Sequence, residues 1–336
     1  MIVKNMNKDL IKENDLFKNI RPMTFNDVIG RKKEKQNLSI LIDAAKSRGD
    51  VLDHILFYGP PGLGKTTLSS VVASEMGVNI KITSGPALTR AADIASIVTR
   101  LSKGDILFID EIHRLNKIIE EKLYSAMEDY ALDVVIGTGP SADIVRIDLN
   151  PFTIIGATTR IGLIAAPLRE RFGAIFRLDY YTQEDIAEIV FRSANILDVK
   201  LDNGAILEIA NRSRGTARIA NRLLKRVRDY AQVYNISNIK KEDAIKAFEA
   251  QSIDKMGLDE LDLKILEVIV INFNGGPVGI STISDSVSEE VETIEDVCEP
   301  FLIQSGFIKK TPRGRVATKF AFDYLQIPYN EELSII

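Results

Sequence analysis

Short apolar segments of strand length recur through the first half of the chain, at residues 55–58, 79–83, 105–111, 152–159 and 174–178, and most are unbroken at their centres. Unbroken rather than alternating hydrophobicity predicts parallel strands covered on both faces. Between them lie helical patterns, one beginning near Gly64 and another over residues 91–101. Strands alternating with helices predict an α/β layer architecture with a parallel sheet. One segment departs from this rhythm. Residues 132–136 and 144–149 flank the breaker-rich stretch 137–141 and read as a β-hairpin, with apolar residues on both faces. After residue 182 the strands stop. Thr182-Gln183-Glu184-Asp185 puts acids into the first turn of a helix, and Gly215-Thr216-Ala217-Arg218 opens another. The pattern divides the chain into an α/β domain over 1–181, a small helical domain over 182–254 and a third domain over 255–336, joined by the weakly patterned link 251–258.

The polar residues that close two of these runs carry chemistry. Gly59-Pro60-Pro61-Gly62-Leu63-Gly64-Lys65-Thr66-Thr67 fits the phosphate-binding pattern G-x-x-x-x-G-K-[ST] and sits between an apolar strand and a helix. Glycines at Gly62 and Gly64 let backbone N–H groups approach phosphate oxygens, and the following helix aims its positive end at them. Lys65 would reach the β- and γ-phosphates of ATP, Thr66 would ligate Mg²⁺, and Thr67 continues the cradle. The run 105–109 ends in Asp110 and Glu111. Ligands gather at the carboxyl ends of such strands, so Asp110 would hold the metal ion and Glu111 would orient the attacking water. His113, one imidazole without a partner motif, reads as a local contact.

Composition narrows the setting. The 336 residues are 45% apolar and 27% charged, ordinary for a globular protein. No apolar run is long enough to cross a bilayer, and Lys4, Lys8, Asp9, Lys12 and Glu13 leave no signal-peptide core, so a cytoplasmic protein without a membrane partner is expected. A single cysteine, Cys298, excludes an internal disulfide. A net charge of −4 gives no global sign of nucleic-acid binding, which would have to come from a local patch. Residues 306–320 supply one, with five basic residues and no acid. Helical patterns over 261–266, 280–287 and 291–304 precede two short strands around the basic turn 309–315, a winged-helix layout with charge on the wing. Lys310, Arg313 and Arg315 would touch phosphates rather than bases; a solvated turn is the alternative. A second basic series, 212–228, reads as mostly solvated or facing a neighbouring subunit.

Together these motifs resemble the AAA+ ATPases. Gly156-Ala157-Thr158-Thr159-Arg160, residues 166–173, Arg218-Ile219-Ala220-Asn221-Arg222 and Arg313-Gly314-Arg315 resemble, more narrowly, the RuvB family of bacterial Holliday-junction branch-migration motors. The resemblance runs from Ile20 to about Leu325. It implies a P-loop core, a helical lid and a winged-helix head.

The resemblance also implies roles. Thr158 would be the sensor of the γ-phosphate or lytic water. Arg171 would be the arginine finger inserted into the adjacent subunit's site, with Arg169 as its competitor, and Arg218 would be the second sensor. Ile20, Arg21 and Tyr181 would surround adenine and ribose beside a wall of Ile29 and Gly30, and Glu128, Asp129 and Tyr130 would lie near nucleotide at the subunit boundary. RuvA would dock on hairpin 132–149, RuvC would act with the complex, and a homohexameric ring would drive double-stranded DNA at four-way junctions. Two departures stand out: Ala217 occupies a position where family members often have proline, and Lys310 one where arginine is more usual. Two rival readings are a replication-initiator ATPase that uses ATP as a switch for static DNA binding, and a protein-remodelling or partner-loading ATPase whose C-terminal domain binds protein.

Overall fold

A computed structural model describes residues 20–136 and 143–329. The hairpin turn read at 137–141 and the N-terminal lysines and acids lie outside the described residues. Helix α1 (Lys32–Arg48) precedes strand β1 (Ile55–Tyr58), and α2 (Lys65–Met76), β2 (Ile80–Ser84), α3 (Ala91–Val98), β3 (Ile106–Asp110) and α4 (Lys117–Glu128) follow. The hairpin is β4 (Ala131–Ile136) and β5 (Asp143–Asp148), after which come β6 (Thr153–Thr158), α5 (Ala166–Glu170) and β7 (Ala174–Arg177).

Strands β2-β3-β6-β1-β7 form one sheet with every pair parallel. Ile106, Leu107, Phe108 and Ile109 are all fully buried, as are Ile55, Leu56 and Phe57, which explains why these runs lack alternation. One apolar cluster gathers Leu107, Ile109, Ile112, Leu123, Phe152 and Phe172 on one face, and another gathers Leu38, Phe57, Leu68, Val72, Phe108 and Ile155 on the other. Burying each such side chain contributes roughly 1.5–3 kcal/mol. The hairpin's base joins the first cluster through Leu132 and Ile147, whereas Val145 is exposed. His54 is buried between strand and helix. Its Nδ1 accepts from the Ile154 N–H at 2.9 Å, so the proton is on Nε2 and donates to the Met127 carbonyl at 3.1 Å. Burial holds its pKa below the usual histidine value.

The helical part comprises α6 (Gln183–Ile196), capped by the Thr182 hydroxyl accepting from the Asp185 N–H, then α7 (Asn203–Asn211), α8 (Ala217–Val233) and α9 (Lys241–Glu249). The C-terminal part comprises α10 (Glu260–Glu267), α11 (Ile280–Val287), α12 (Val291–Thr293), α13 (Glu299–Gln304), β8 (Ile308–Thr311), β9 (Gly314–Ala317) and α14 (Lys319–Leu325). Contacts group the chain into two units, Met1–Val199 with Thr216–Arg218, and Lys200–Gly215 with Ile219–Ile336. Helix α6 therefore groups with the parallel sheet, although the sequence pattern assigns it to the helical domain.

Inside the second unit, the basic series beginning at Arg212 is not solvated at its start. This corrects the sequence reading. Arg212 and Arg214 are buried, with Arg212 Nε donating to the Asp254 carbonyl at 2.9 Å and Arg214 Nε to the Gly257 carbonyl at 2.8 Å. The Arg214 guanidinium also meets Asp259 and Asp262 and lies over the Phe301 ring. A Cβ on Gly257 would collide with the Arg212 carbonyl oxygen, so glycine is required for this approach. The end of α7 is thereby tied to the start of the C-terminal helices.

Candidate functional site

The loop between β1 and α2 runs along the carboxyl end of the sheet. Gly59 and Gly64 have φ of 143° and 90°, and a Cβ on Gly59 would collide with the Leu178 carbonyl oxygen. Lys65 is buried, and its ammonium donates to the carbonyls of Gly59 at 2.7 Å and Pro60 at 3.0 Å. Burial pushes its pKa down, while Glu111 and Asp110 push it back up. A desolvated cation held on the loop's own carbonyls is a ready partner for an anionic oxygen. Thr66 and Thr67 follow it as half-buried residues in the first turn of α2.

Asp110 ends β3, and its carboxylate accepts from the Glu111 N–H at 3.1 Å. Glu111 itself takes a left-handed conformation, with φ of 47°, that turns the chain out of the strand. Its carboxylate accepts from the Thr159 hydroxyl at 3.2 Å and lies 3.2 Å from His113 Nδ1. Thr158 is placed differently. It is fully buried, its hydroxyl lies 2.9 Å from His113 Nδ1, and it accepts from the Arg160 N–H at 2.9 Å. Of the two adjacent threonines, Thr159 is the one that touches Glu111. The strand alternation explains this, because neighbouring side chains at a strand end point to opposite sides.

No group of three or more His, Cys, Asp and Glu residues stands together as a metal site among the described residues. Thr66, in the first turn of α2, and Asp110, at the end of β3, are the hydroxyl and carboxylate that could hold an ion taking its other ligands from phosphates and water.

Around the loop, the Tyr181 hydroxyl and Arg31 guanidinium donate to the Leu63 carbonyl at 3.4 and 3.2 Å, with Arg31 stacked 4.2 Å over the Tyr181 ring. Ile20 is buried, its carbonyl accepting from Arg192 at 2.7 Å, whereas Arg21 is exposed. A Cβ on Gly30 would meet the Asp185 carboxylate at 2.7 Å. The Arg218 N–H donates to the Gly62 carbonyl at 3.3 Å, which sets the second-sensor candidate at the loop. That backbone bond, together with the 3.2 Å approach of the Arg218 Cβ to the place a Cβ on Gly62 would take, fixes where its side chain begins.

Arg171 is not joined to Lys65, Asp110 or Glu111 by any hydrogen bond or ion pair among the described residues. Its guanidinium pairs with Glu128 at 3.0 Å, donates to the Pro167 carbonyl at 2.7 Å and lies 4.4 Å over the Tyr124 ring. Its side chain is 21% exposed, so it borders solvent on a face built by α4 and α5. Arg169, the competitor, is exposed. Glu128 and Asp129 are each engaged by an arginine of their own chain, Arg171 and Arg146. Tyr130 is half-buried and packs edge-on against Phe152 at 6.1 Å, at the border of the apolar cluster.

On the wing, the basic stretch is mostly strand rather than turn. Lys310 pairs across the ladder with Arg315, and Lys309 with Val316. Arg315 is buried against Glu299 and Glu295, and Lys310 bridges the same two acids at 3.2 and 3.5 Å. This corrects the expectation of an exposed Arg315, whose guanidinium is engaged by two carboxylates. Of the three expected phosphate contacts, Lys310 and Arg313 are the exposed ones.

Three family models match in succession: the Holliday junction DNA helicase RuvB P-loop domain over residues 20–178, the RuvB AAA lid domain over 181–254 and the RuvB C-terminal winged helix domain over 255–326. The chain belongs to the RuvB family. It is 56% identical over 313 residues to the Holliday junction branch migration complex subunit RuvB of Dehalococcoides mccartyi, covering 93% of this chain and 90% of that protein. Among solved structures, the Thermotoga maritima RuvB Holliday junction branch migration motor matches with a TM-score of 0.84 and 48% identity, over 93% of this chain and 99% of that one. A mutant form of the same Thermotoga maritima RuvB matches with a TM-score of 0.85 and 48% identity, over 92% of this chain and 100% of that one. Membership in the RuvB family across all three segments does not favour the replication-initiator alternative. It makes the chain a P-loop ATPase of the helicase-like motor class. No helix among the described residues is long and apolar enough to cross a membrane.

Three residues of the RuvB-type site escaped the sequence reading. Thr159 is named in the motif yet gives no sign, by pattern alone, of touching Glu111. His113 reads as an isolated imidazole, and only the fold brings it between Glu111 and Thr158. Arg31 lies outside every motif.

Proposed function

We propose that this chain is an ATP-driven motor that moves duplex DNA and so migrates four-way junctions. The observation that carries the reading is a phosphate-binding loop with a desolvated Lys65 beside Asp110 and Glu111, in a chain that matches RuvB from residue 20 to residue 326.

In this reading ATP lies along the 59–67 loop, with Lys65 on its β- and γ-phosphate oxygens and Gly62, Gly64, Thr66 and Thr67 around them. Thr66 and Asp110 would hold Mg²⁺, which when bound would supply charge neutralisation at the phosphate oxygens. Ile20, Arg21 and Tyr181 face the nucleoside. Glu111 orients water for attack on the γ-phosphorus, accepting a proton as the water's oxygen forms the new P–O bond and ADP leaves. The Thr159 hydroxyl and His113 fix that carboxylate, so the sensor role falls to Thr159, with Thr158 supporting His113 from behind.

Arg171 acts on the site of a neighbouring copy in a homohexameric ring. A guanidinium suits this because it is permanently charged and forks onto phosphoryl oxygens, an effect of about 10³–10⁵ in rate. To reach across, it exchanges Glu128 for the neighbour's nucleotide, near Asp129 and Tyr130. Arg218 reports nucleotide occupancy to the helical domain. The ties of Arg212 and Arg214 to residues 254–262 carry that motion toward the head, where the exposed Lys310 and Arg313 act on DNA phosphates. The working domains are 1–181, 182–254 and 255–336. RuvA docks on hairpin 132–149, whose Val145 is exposed, RuvC cuts the migrated junction, and the whole acts in the cytoplasm.

A junction-dissociation assay with RuvA tests this. The expected result is ATP-dependent separation of a synthetic four-way junction that Lys65→Ala abolishes. Junction binding with no ATP-dependent separation would leave a static binder instead.

A further inference from the structure

The two faces of the wing differ in charge. Directly opposed residues of an antiparallel pair share a face, and successive residues alternate. Lys310 and Arg315 thus share the face that meets Glu295 and Glu299, where their charge is largely neutralised. Lys309 and Val316 share the other face. That face opens on a cavity of about 900 Å³, lined among others by Lys309, Arg313, Val316, Lys319, Phe320 and Tyr329, with no acidic residue among the described residues that line it. Lys309 and Lys319 make no ion pair among the described residues, and both are exposed. Phe320 is 43% exposed although its ring stacks on the fully buried Phe307, with centroids 4.8 Å apart.

We infer that this cavity is a second DNA site, which takes an unpaired nucleobase of a single strand on Phe320 while Lys309 and Lys319 hold the flanking phosphates. The chemistry fits one occupant. An aromatic ring fixed from behind and exposed in front offers a stacking platform for any base, and the exposed Lys309 and Lys319 suit a polyanion rather than a neutral ligand. Duplex DNA offers its phosphates to a wing but keeps its bases stacked, so it cannot use Phe320. The inference rests on the motor reading only in that the head meets DNA.

The chain contains no tryptophan, so Phe320→Trp in the full-length protein introduces a single indole reporter. Adding oligothymidylate should quench its fluorescence, whereas a blunt duplex of equal length should not. Phe320→Leu, which keeps the apolar packing on Phe307, should weaken oligothymidylate binding about tenfold and leave duplex binding within about twofold. Lys309→Ala and Lys319→Ala should each make the salt dependence of strand binding shallower by about 0.7. ATP hydrolysis without DNA should be unchanged in all four. Equal losses on strand and duplex, or an unquenched indole in a protein that still binds duplex, overturn the inference and leave the motor reading intact. Loss of all DNA binding by the unaltered protein would instead remove the motor reading.

Discussion

The phosphate loop and the wing both present lysine and arginine close to glycine and proline, yet the fold treats the two sets of charge in opposite ways. In the loop, Lys65 is buried and rests on backbone carbonyls, and burial lowers its pKa although Glu111 and Asp110, not bonded to it, offset part of that shift. In the wing, Arg315 is bonded to Glu299 and Glu295, and the charge left over is on the other face. A fixed spacing specifies geometry, whereas a count of charges does not. G-x-x-x-x-G-K-[ST] dictates where an ammonium must go because the backbone is constrained at each glycine. A run of basic residues leaves its partners to be chosen by elements far along the chain.

The largest effect expected from this contrast is at Arg171. Arg171→Ala should lower the rate of ATP hydrolysis by about 10³–10⁵ with nucleotide affinity little changed, measured by steady-state turnover beside equilibrium titration. Glu111→Gln should lower kcat by about 10²–10⁴, again with binding retained. Between the adjacent threonines the effects should separate in kind. Thr159→Val should lower kcat without a change in thermal stability, because its hydroxyl serves Glu111. Thr158→Val should lower the denaturation midpoint, because it leaves the Arg160 N–H without its acceptor at a cost of about 1–3 kcal/mol. Equal behaviour of the two would erase the distinction drawn at the strand end.

On the wing, Arg315→Ala should destabilise the head by about 1.5–3 kcal/mol, since Glu299 would lose its guanidinium and keep only Lys310, and denaturant unfolding would register it. Lys309→Ala should leave stability unchanged. The smallest expected effect is a pH slope. His54 is held neutral in the folded chain, while the unfolded chain takes up a proton below about pH 6.5. Its contribution is present at neutral pH and is lost as pH falls through that value, so the melting temperature should drop. Asp262, whose pKa burial pushes up to about 6, acts with the opposite sign, because its ionisation above that pH opposes folding. The slope due to His54 is therefore read as the difference between the unaltered chain and His54→Asn.

Much of the architecture is legible in the sequence. The central strands β1, β3 and β6 can be read because each is a nearly unbroken apolar run, and β2 because its isoleucines alternate with polar residues. The residues that end β3 and follow β1 carry their own chemistry. Helix α6 groups with the sheet because residues such as Arg192 and Asp185 meet the segment before α1, a contact no local pattern encodes. The service of Thr159 rather than Thr158 to Glu111 depends on strand phase at a single residue. The burial of Arg212 and Arg214 depends on carboxylates and carbonyls more than forty residues away, so their spacing reads like a solvated helix face.

Each active site, in the proposed ring, is completed by a guanidinium from a second copy. Mixing Arg171→Ala protein, whose loop is intact, with Lys65→Ala protein, whose Arg171 is intact, tests it most directly. Each variant alone should hydrolyse ATP slowly, and the mixture should regain turnover in proportion to mixed boundaries. A mixture no faster than the sum of its parts would contradict it.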